Sequence, residues 1–193
     1  MRRMLVFSDL HACRRALSDI TPILDEVDLS IFCGDILGYG EDIDYCLDFV
    51  MREIDIVVLG NQDRLAVTDE DLSSQLPVVR TSIKRTREVL TKEQAMKISS
   101  LPRELWYEDL YVTHSIGDDY LRKEEDFERV AARMHRDTRY AFFGHTHEQV
   151  IWRSDGKTVV NPGSITKGRK GFQRGCAIIN GNDVEMLRFE DIL

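Results

Sequence analysis

The chain has no long apolar run. Nothing in its 193 residues approaches the roughly 18 consecutive apolar positions that a membrane-spanning helix requires, so a soluble protein is expected. No charged n-region with a secretory core opens it: Met1-Arg2-Arg3-Met4 leads straight into Leu5-Val6-Phe7, too short for a signal peptide and read here as a first strand. Paired cysteine spacing is also missing. Cys13, Cys33, Cys46 and Cys176 form no CxxC, which excludes a cysteine metal clip and points to free thiols in a reducing cytoplasm. Basic residues do not dominate: 26 Lys and Arg against 34 Asp and Glu leave a net charge of −8. That balance argues against a broad grip on nucleic-acid backbone. It leaves room for a small phosphorylated substrate, because bound metal ions invert the local sign of charge. With no repeat, low-complexity stretch or linker, residues 1–193 are expected to form a single domain.

What is present is a rhythm of short apolar runs, each ending in polar residues. Residues 5–7, 29–33 and 54–59 read as buried strands, separated by amphipathic helical stretches at 12–27 and 45–52. Pro22 predicts a kink or break in the first of these. Alternation of this kind predicts an α/β arrangement with mostly parallel strands. Residues 69–100 are polar and helical in pattern, divided by Pro77 and closed by Pro102. Strand pairs then follow at 105–107, 110–113, 140–143, 150–153, 158–160, 176–179 and 184–189, with a helical stretch at 127–136. These pairs predict a second sheet packed on the first, and Asn180-Gly181 is the clearest hairpin signal.

The chemistry gathers at five strand tips: Asp9-Leu10-His11, Gly34-Asp35, Gly60-Asn61, His114 and Gly144-His145-Thr146-His147. Taken singly each tip is weak, since an Asp after a strand is usually a cap and a lone His is usually a surface residue. Together they hold four of the five histidines. The carboxyl ends of parallel strands line one edge of a sheet, where ligand sites form. Two carboxylates, four imidazoles and one amide oxygen are mixed N/O donors suited to manganese, iron or zinc. Seven donors are too many for one tetrahedral ion and are a natural number for two ions sharing a carboxylate. The glycines before Asp35, Asn61 and His145 allow close backbone approach or a positive φ.

The ordered pattern Asp-x-His, Gly-Asp, Gly-Asn, His, Gly-His-Thr-His resembles the calcineurin-like metallophosphoesterase superfamily, from Asp9 to about Ile165. Asp35-Ile36-Leu37-Gly38-Tyr39-Gly40 and Asn161-Pro162-Gly163-Ser164 are similar to its compact prokaryotic branch of phosphodiesterases and diadenosine tetraphosphatase relatives. The resemblance implies a four-layer α/β sandwich of two mixed sheets flanked by helices. It implies two divalent ions (manganese first, with Fe, Zn, Ni and Mg as alternatives), Asp9, His11 and His147 holding one and Asn61, His114 and His145 the other. Asp35 would bridge both, and a hydroxide generated between them would be the nucleophile. Asp35, Asn61, Gln62 and His114 are accordingly the expected catalytic residues, and Tyr39, Gln62 and Arg64 the expected substrate-binding ones.

The pattern departs from its relatives at Gly60-Asn61-Gln62-Asp63, where many carry His in place of Gln62 as proton donor to the leaving oxygen. A glutamine amide hydrogen-bonds phosphate but does not titrate near pH 7. Gly38-Tyr39-Gly40 also stands where protein-phosphatase relatives place an Arg, and Arg64 is the substitute clamp. A phosphodiesterase or nucleotide-anhydride hydrolase is therefore expected ahead of a phosphomonoesterase or a non-catalytic scaffold. The partner is a small, nucleotide-like phosphorylated substrate, with no membrane and with nucleic acid less favoured. His135 is expected to lie on the surface or at a helix end, and Cys13 to be a packing residue. Lys167, Arg169, Lys170 and Arg174 form a basic loop able to meet a substrate's distal phosphates.

Overall fold

The computed structural model describes residues 2–192. The first half alternates β1 (Arg3–Phe7), α1 (Arg14–Leu24), β2 (Leu29–Phe32), α2 (Ile43–Glu53) and β3 (Ile56–Val57). Three helices follow, α3 (Asn61–Val67), α4 (Pro77–Val89) and α5 (Lys92–Ser99). The second half runs β4 (Glu104–Tyr107), β5 (Leu110–Thr113), α6 (Glu124–Ala131), β6 (Tyr140–Phe142), β7 (Gln149–Ser154), β8 (Lys157–Pro162), β9 (Gly175–Asn180) and β10 (Asp183–Arg188).

Two mixed sheets of five strands result, in the orders β10-β9-β1-β2-β3 and β4-β5-β6-β8-β7. Strand alternation explains why they stack. Met4 and Val6 of β1 face the second sheet, where they meet Leu110, Val112, Phe142 and Val160. Leu5 and Phe7, on the opposite face, pack against Leu17 and Ile20 of α1 and Leu47 and Val50 of α2. In the second sheet, Tyr111, Ala141 and Val159 turn outward to cover Phe127 and Val130 of α6. Helices, sheet, sheet and helix make four layers, as the sequence resemblance implied.

Several local expectations are corrected. α1 runs unbroken through Pro22, which sits in the last turn with its ring exposed, so that its missing N–H removes little. Pro77 does not divide two helices but starts one, at the first-turn position where a proline needs no partner. Thr91 then opens α5 by a capping box with Gln94. The final hairpin leaves the second half altogether: β9 pairs antiparallel with β1, Val6 opposite Ala177, and extends the first sheet. Its turn is centred on Gly181-Asn182, because Asn180 still pairs with Asp183 and Gly181 takes φ 62°. α6 begins three residues earlier than expected, with Glu124, Glu125 and Asp126 in its first turn, where the helix dipole favours acids. His135 lies beyond α6, exposed and stacked on Trp106 at 5.2 Å. All four cysteines are free thiols, and no helix among the described residues is long and apolar enough to cross a membrane.

Candidate metal centre

Strand register brings the polar tips together. β1 and β2 are parallel with Phe7 beside Phe32, so their following loops leave at one level. Asp9 N–H donates to Gly34 O at 3.0 Å and Leu10 N–H to Asp35 O at 2.9 Å. In the second sheet β5 and β6 are parallel, and Gly144 N–H donates to His114 O at 3.0 Å. The two sheets meet where His145 N–H donates to the Asp9 carboxylate at 3.1 Å. All seven expected donor residues therefore face one another at a single edge of the sandwich, although they span residues 9 to 147.

The loops pay a conformational cost to get there. Asp9, His11, Asp35, His145 and His147 take φ of 58°, 52°, 63°, 68° and 60°, a region costly for side-chain-bearing residues and concentrated at functional sites. Gly60 and Gly144 serve a different need, close approach. A Cβ on Gly60 would collide with the backbone and carboxylate of Asp35, and one on Gly144 with Ser8 Oγ. Gly60→Ala is therefore expected to destabilise the fold by about 1–3 kcal/mol, as overpacking typically does. It should also weaken metal retention; unchanged thermal unfolding together with unchanged metal content would show that the loop yields.

Three imidazoles are aimed alike. His11 Nδ1 donates to Leu37 O (3.1 Å), His114 Nδ1 to Cys33 O (2.7 Å) and His147 Nδ1 to Lys167 O (2.9 Å). A carbonyl only accepts, so in each neutral ring the proton is on Nδ1 and the Nε2 lone pair faces the cluster. His11 and His147 bring their Nε2 atoms to 3.1 Å of each other, two acceptors pointing together. Asp9 Oδ1 lies 3.2 Å from His147 Nε2, yet it and His145 Nε2 are buried with no hydrogen-bond partner. Converging lone pairs and orphaned buried donors of this kind fit divalent cations, which neutralise the carboxylates and satisfy the nitrogens at once. Two groups could hold an ion, Asp9–His11–His147 and Asp9–Asp35–His114, their donor atoms within 4.8 Å of one another. Asn61 Oδ1 stands 3.0 Å from His114 Nε2 at the edge of the second group. Asp9, rather than Asp35, is common to both groups, and His145 lies outside them.

Charge follows the same logic. Burial alone would raise the Asp9 and Asp35 carboxyls, but His147 beside one and His114 beside the other outweigh it and hold both below the usual range. Burial, reinforced by His147, pushes His11 down to about 4. Burial and His114 take His145 to about 4 as well. Both rings are neutral at pH 7, the form that ligates a metal. His114 moves the other way: burial opposes its charge, but Asp35 overcomes it and lifts the ring to about 10.

Around the cluster, Gln62 sits buried with its amide nitrogen 3.4 Å from Asp35 Oδ2 and its carbonyl oxygen without a partner. Tyr39 packs its ring edge-on against His11 at 4.8 Å. Arg64 is engaged elsewhere, with Glu70 and, at 2.6 Å, with Asp118. A pocket of about 150 Å³ lies over Asp35, Asn61, Gln62 and His145, roofed by Gln75, Leu76 and Val79 at the start of α4. The polar middle segment thus covers the site, a placement its sequence did not disclose.

Other supporting residues went unassigned in the sequence. Asp63 accepts from the N–H groups of Asp35 (2.9 Å), Ile36 (3.1 Å), Leu37 (2.8 Å) and Gly60 (3.1 Å). Burial, then the charge of Asp35, raises its carboxyl to about 7 against these bonds. Asn161 donates to Gly144 O (2.8 Å) and Thr146 Oγ1 (3.0 Å), and Ser164 Oγ to Asp9 O (2.9 Å). An acid three residues after Gly60, at the third position of a helix, was the available signal for Asp63.

Comparison with known proteins agrees with this geometry. The profile of the calcineurin-like phosphoesterase superfamily domain matches residues 2–183. A metallophosphoesterase from Sphaerobacter thermophilus is 25% identical, with 99% of this chain and 89% of that one covered and a TM-score of 0.76. A protein from Pyrococcus horikoshii OT3 is 16% identical, with 100% and 89% covered and a TM-score of 0.78. An archaeal phosphodiesterase is 17% identical, with 97% and 99% covered and a TM-score of 0.58. No curated protein sequence matches at a significant level. With its domain profile spanning nearly the whole length and its buried donors converging at one sheet edge, the chain belongs to the calcineurin-like phosphoesterase superfamily and is a metal-dependent phosphoester hydrolase.

Proposed function

We propose that the chain is a single-domain phosphodiesterase or nucleotide-anhydride hydrolase working with two divalent ions, manganese the first candidate, in the cytoplasm. The observation that carries the two-ion reading is the set of three imidazoles, each locked through Nδ1 to a backbone carbonyl with Nε2 turned on two buried carboxylates. Asp9, His11 and His147 hold one ion; Asn61, His114 and His145 complete the second, with Asp35 between them. Bound there, two divalent ions supply Lewis acidity and lower the pKa of water toward neutrality. The chain's own residues position the rest. Gln62 turns its amide toward the substrate oxygens, Tyr39 fixes the His11 ring and walls the approach, and the α4 start roofs the site against water. Arg64 holds the Glu70 and Asp118 loops at the rim, so its contribution to substrate binding runs through those loops.

Preference for diesters and anhydrides rests on Gln62. Among the groups lining the small pocket no imidazole stands where Gln62 does, and an amide has no proton to give a departing alkoxide. Aryl and phosphate leaving groups need none. Protein stripped of metal and reloaded with manganese is expected to cleave bis(p-nitrophenyl) phosphate well above p-nitrophenyl phosphate, and a chelator should abolish both rates. Dominant monoester cleavage would sink the account of Gln62.

A further inference from the structure

A second cavity opens beside the metal centre. It measures about 660 Å³, and its walls include His11, His147, Tyr39, Val78, Lys167 and Arg169. Tyr39, His147 and Arg169 also line the small pocket over the cluster, so the two spaces adjoin. The larger one is set off from the reacting position by the width of the Tyr39 and His147 rings.

Its two cations are fixed in place by the centre itself. Lys167 offers its carbonyl to His147 Nδ1 at 2.9 Å, and Arg169 N–H donates to His147 O at 3.2 Å. Lys167 N–H and Thr166 N–H both donate to Ser164 Oγ, which donates to Asp9 O. The loop that carries both charges is therefore bonded to two of the expected metal-holding residues. Among the described residues no carboxylate pairs with Lys167 or Arg169, whereas their neighbours Lys170 and Arg174 are taken by Glu148 (3.4 Å) and Asp19 (2.7 Å). In a chain of net charge −8, two uncommitted cations at the mouth of a phosphoesterase centre mark an anion subsite. A guanidinium fork matches phosphate oxygens in pairs, and Tyr39 and Val78 leave an apolar wall opposite.

We infer that this cavity binds the phosphate chain and nucleoside next to the scissile phosphorus, making a nucleoside polyphosphate anhydride the substrate class. The inference deepens the hydrolase reading above and rests on it. The step balances without an acid: water forms a new P–O bond, the bond from phosphorus to the bridging anhydride oxygen breaks, and the departing phosphate leaves as an anion. One proton goes to solvent. The absence of a titrating group at Gln62 then carries no penalty, which is a separate reason to favour an anhydride.

The test uses manganese-loaded full-length protein and two probes, diadenosine tetraphosphate and bis(p-nitrophenyl) phosphate. In the Lys167→Ala/Arg169→Ala double variant the ratio of kcat/KM for the dinucleotide to that for the aryl diester should fall at least tenfold, mainly through KM. Arg169→Lys, which keeps the charge and loses the fork, should fall between. Dissociation constants for the dinucleotide, measured by calorimetry with calcium in place of manganese, should weaken by a similar factor. A parallel loss on both probes, an unchanged ratio, or wild-type protein that cleaves the aryl diester and ignores the dinucleotide would each overturn the subsite. Failure of wild-type protein on both probes would instead overturn the hydrolase reading, and calorimetry would still decide the subsite. If the double variant unfolds, Lys167→Glu, an exposed position, gives the same comparison.

Discussion

Asp35→Asn is expected to lower manganese-dependent hydrolysis by at least ~100-fold while leaving the fold intact, since groups one shell further from a metal already cost 10–100-fold. The substitution is nearly isosteric and keeps an oxygen to accept Gln62 N–H, a 2.8 Å bond in the native chain. What it removes is the negative charge that faces His114 Nε2 at 3.5 Å and completes the Asp9–Asp35–His114 group. Metal affinity should fall with activity, and stability offers an independent readout. An ion held at 100 times its dissociation constant stabilises the folded state by about 2.7 kcal/mol, and a hundredfold loss of affinity leaves about 0.4. For a chain of this length each kcal/mol moves the unfolding midpoint by about 2–4 °C. The wild type should therefore gain about 5–10 °C on metal addition, and Asp35→Asn almost nothing. Equal gains and equal turnover in the two proteins would show that Asp35 does not hold an ion.

The residues of this centre were legible in sequence because strand ends concentrate them. Asp9, Asp35, Asn61, His114 and His145 each follow an apolar run, and parallel pairing sends those runs to one edge. How they are held was not legible. A positive φ can be anticipated at glycine, but the same conformation at Asp9, His11, Asp35, His145 and His147 comes from tertiary hydrogen bonds such as Leu10 N–H to Asp35 O. Local pattern likewise could not assign β9 and β10 to the first sheet. Pairing of Val6 with Ala177 is a contact across most of the chain, decided by which apolar face remains uncovered. α3 escaped notice because Asn61 and Gln62 had been absorbed into the ligand pattern. The same four-residue block that supplies a metal donor also starts a helix.

That double use gives Asp63 the largest structural effect expected of any single residue here. Its carboxylate is fully buried and accepts four backbone N–H groups, three from the Asp35–Leu37 loop and one from Gly60. One side chain thus ties the loop that presents Asp35 to the helix start that presents Asn61. A buried N–H stripped of its acceptor costs about 1–3 kcal/mol, and even with partial relaxation Asp63→Ala should cost about 3–6 kcal/mol. That is a large part of the 5–15 kcal/mol that holds a typical domain together, and it corresponds to a midpoint lower by roughly 10–20 °C. Asp63→Asn separates the two functions of the carboxylate. Its one oxygen can still receive Asp35, Ile36 and Gly60, whose bonds all end on Oδ2, and only the Leu37 bond to Oδ1 is lost. The asparagine variant should therefore unfold between the wild type and Asp63→Ala, at a cost of about 1–3 kcal/mol. Both variants should also bind manganese more weakly, in the same order as their stability, because a loosened loop no longer fixes Asp35 against His114. An Asp63→Ala midpoint within 2 °C of the wild type would mean that water or neighbouring carbonyls replace the carboxylate, and the tie between the two loops would have to be sought elsewhere.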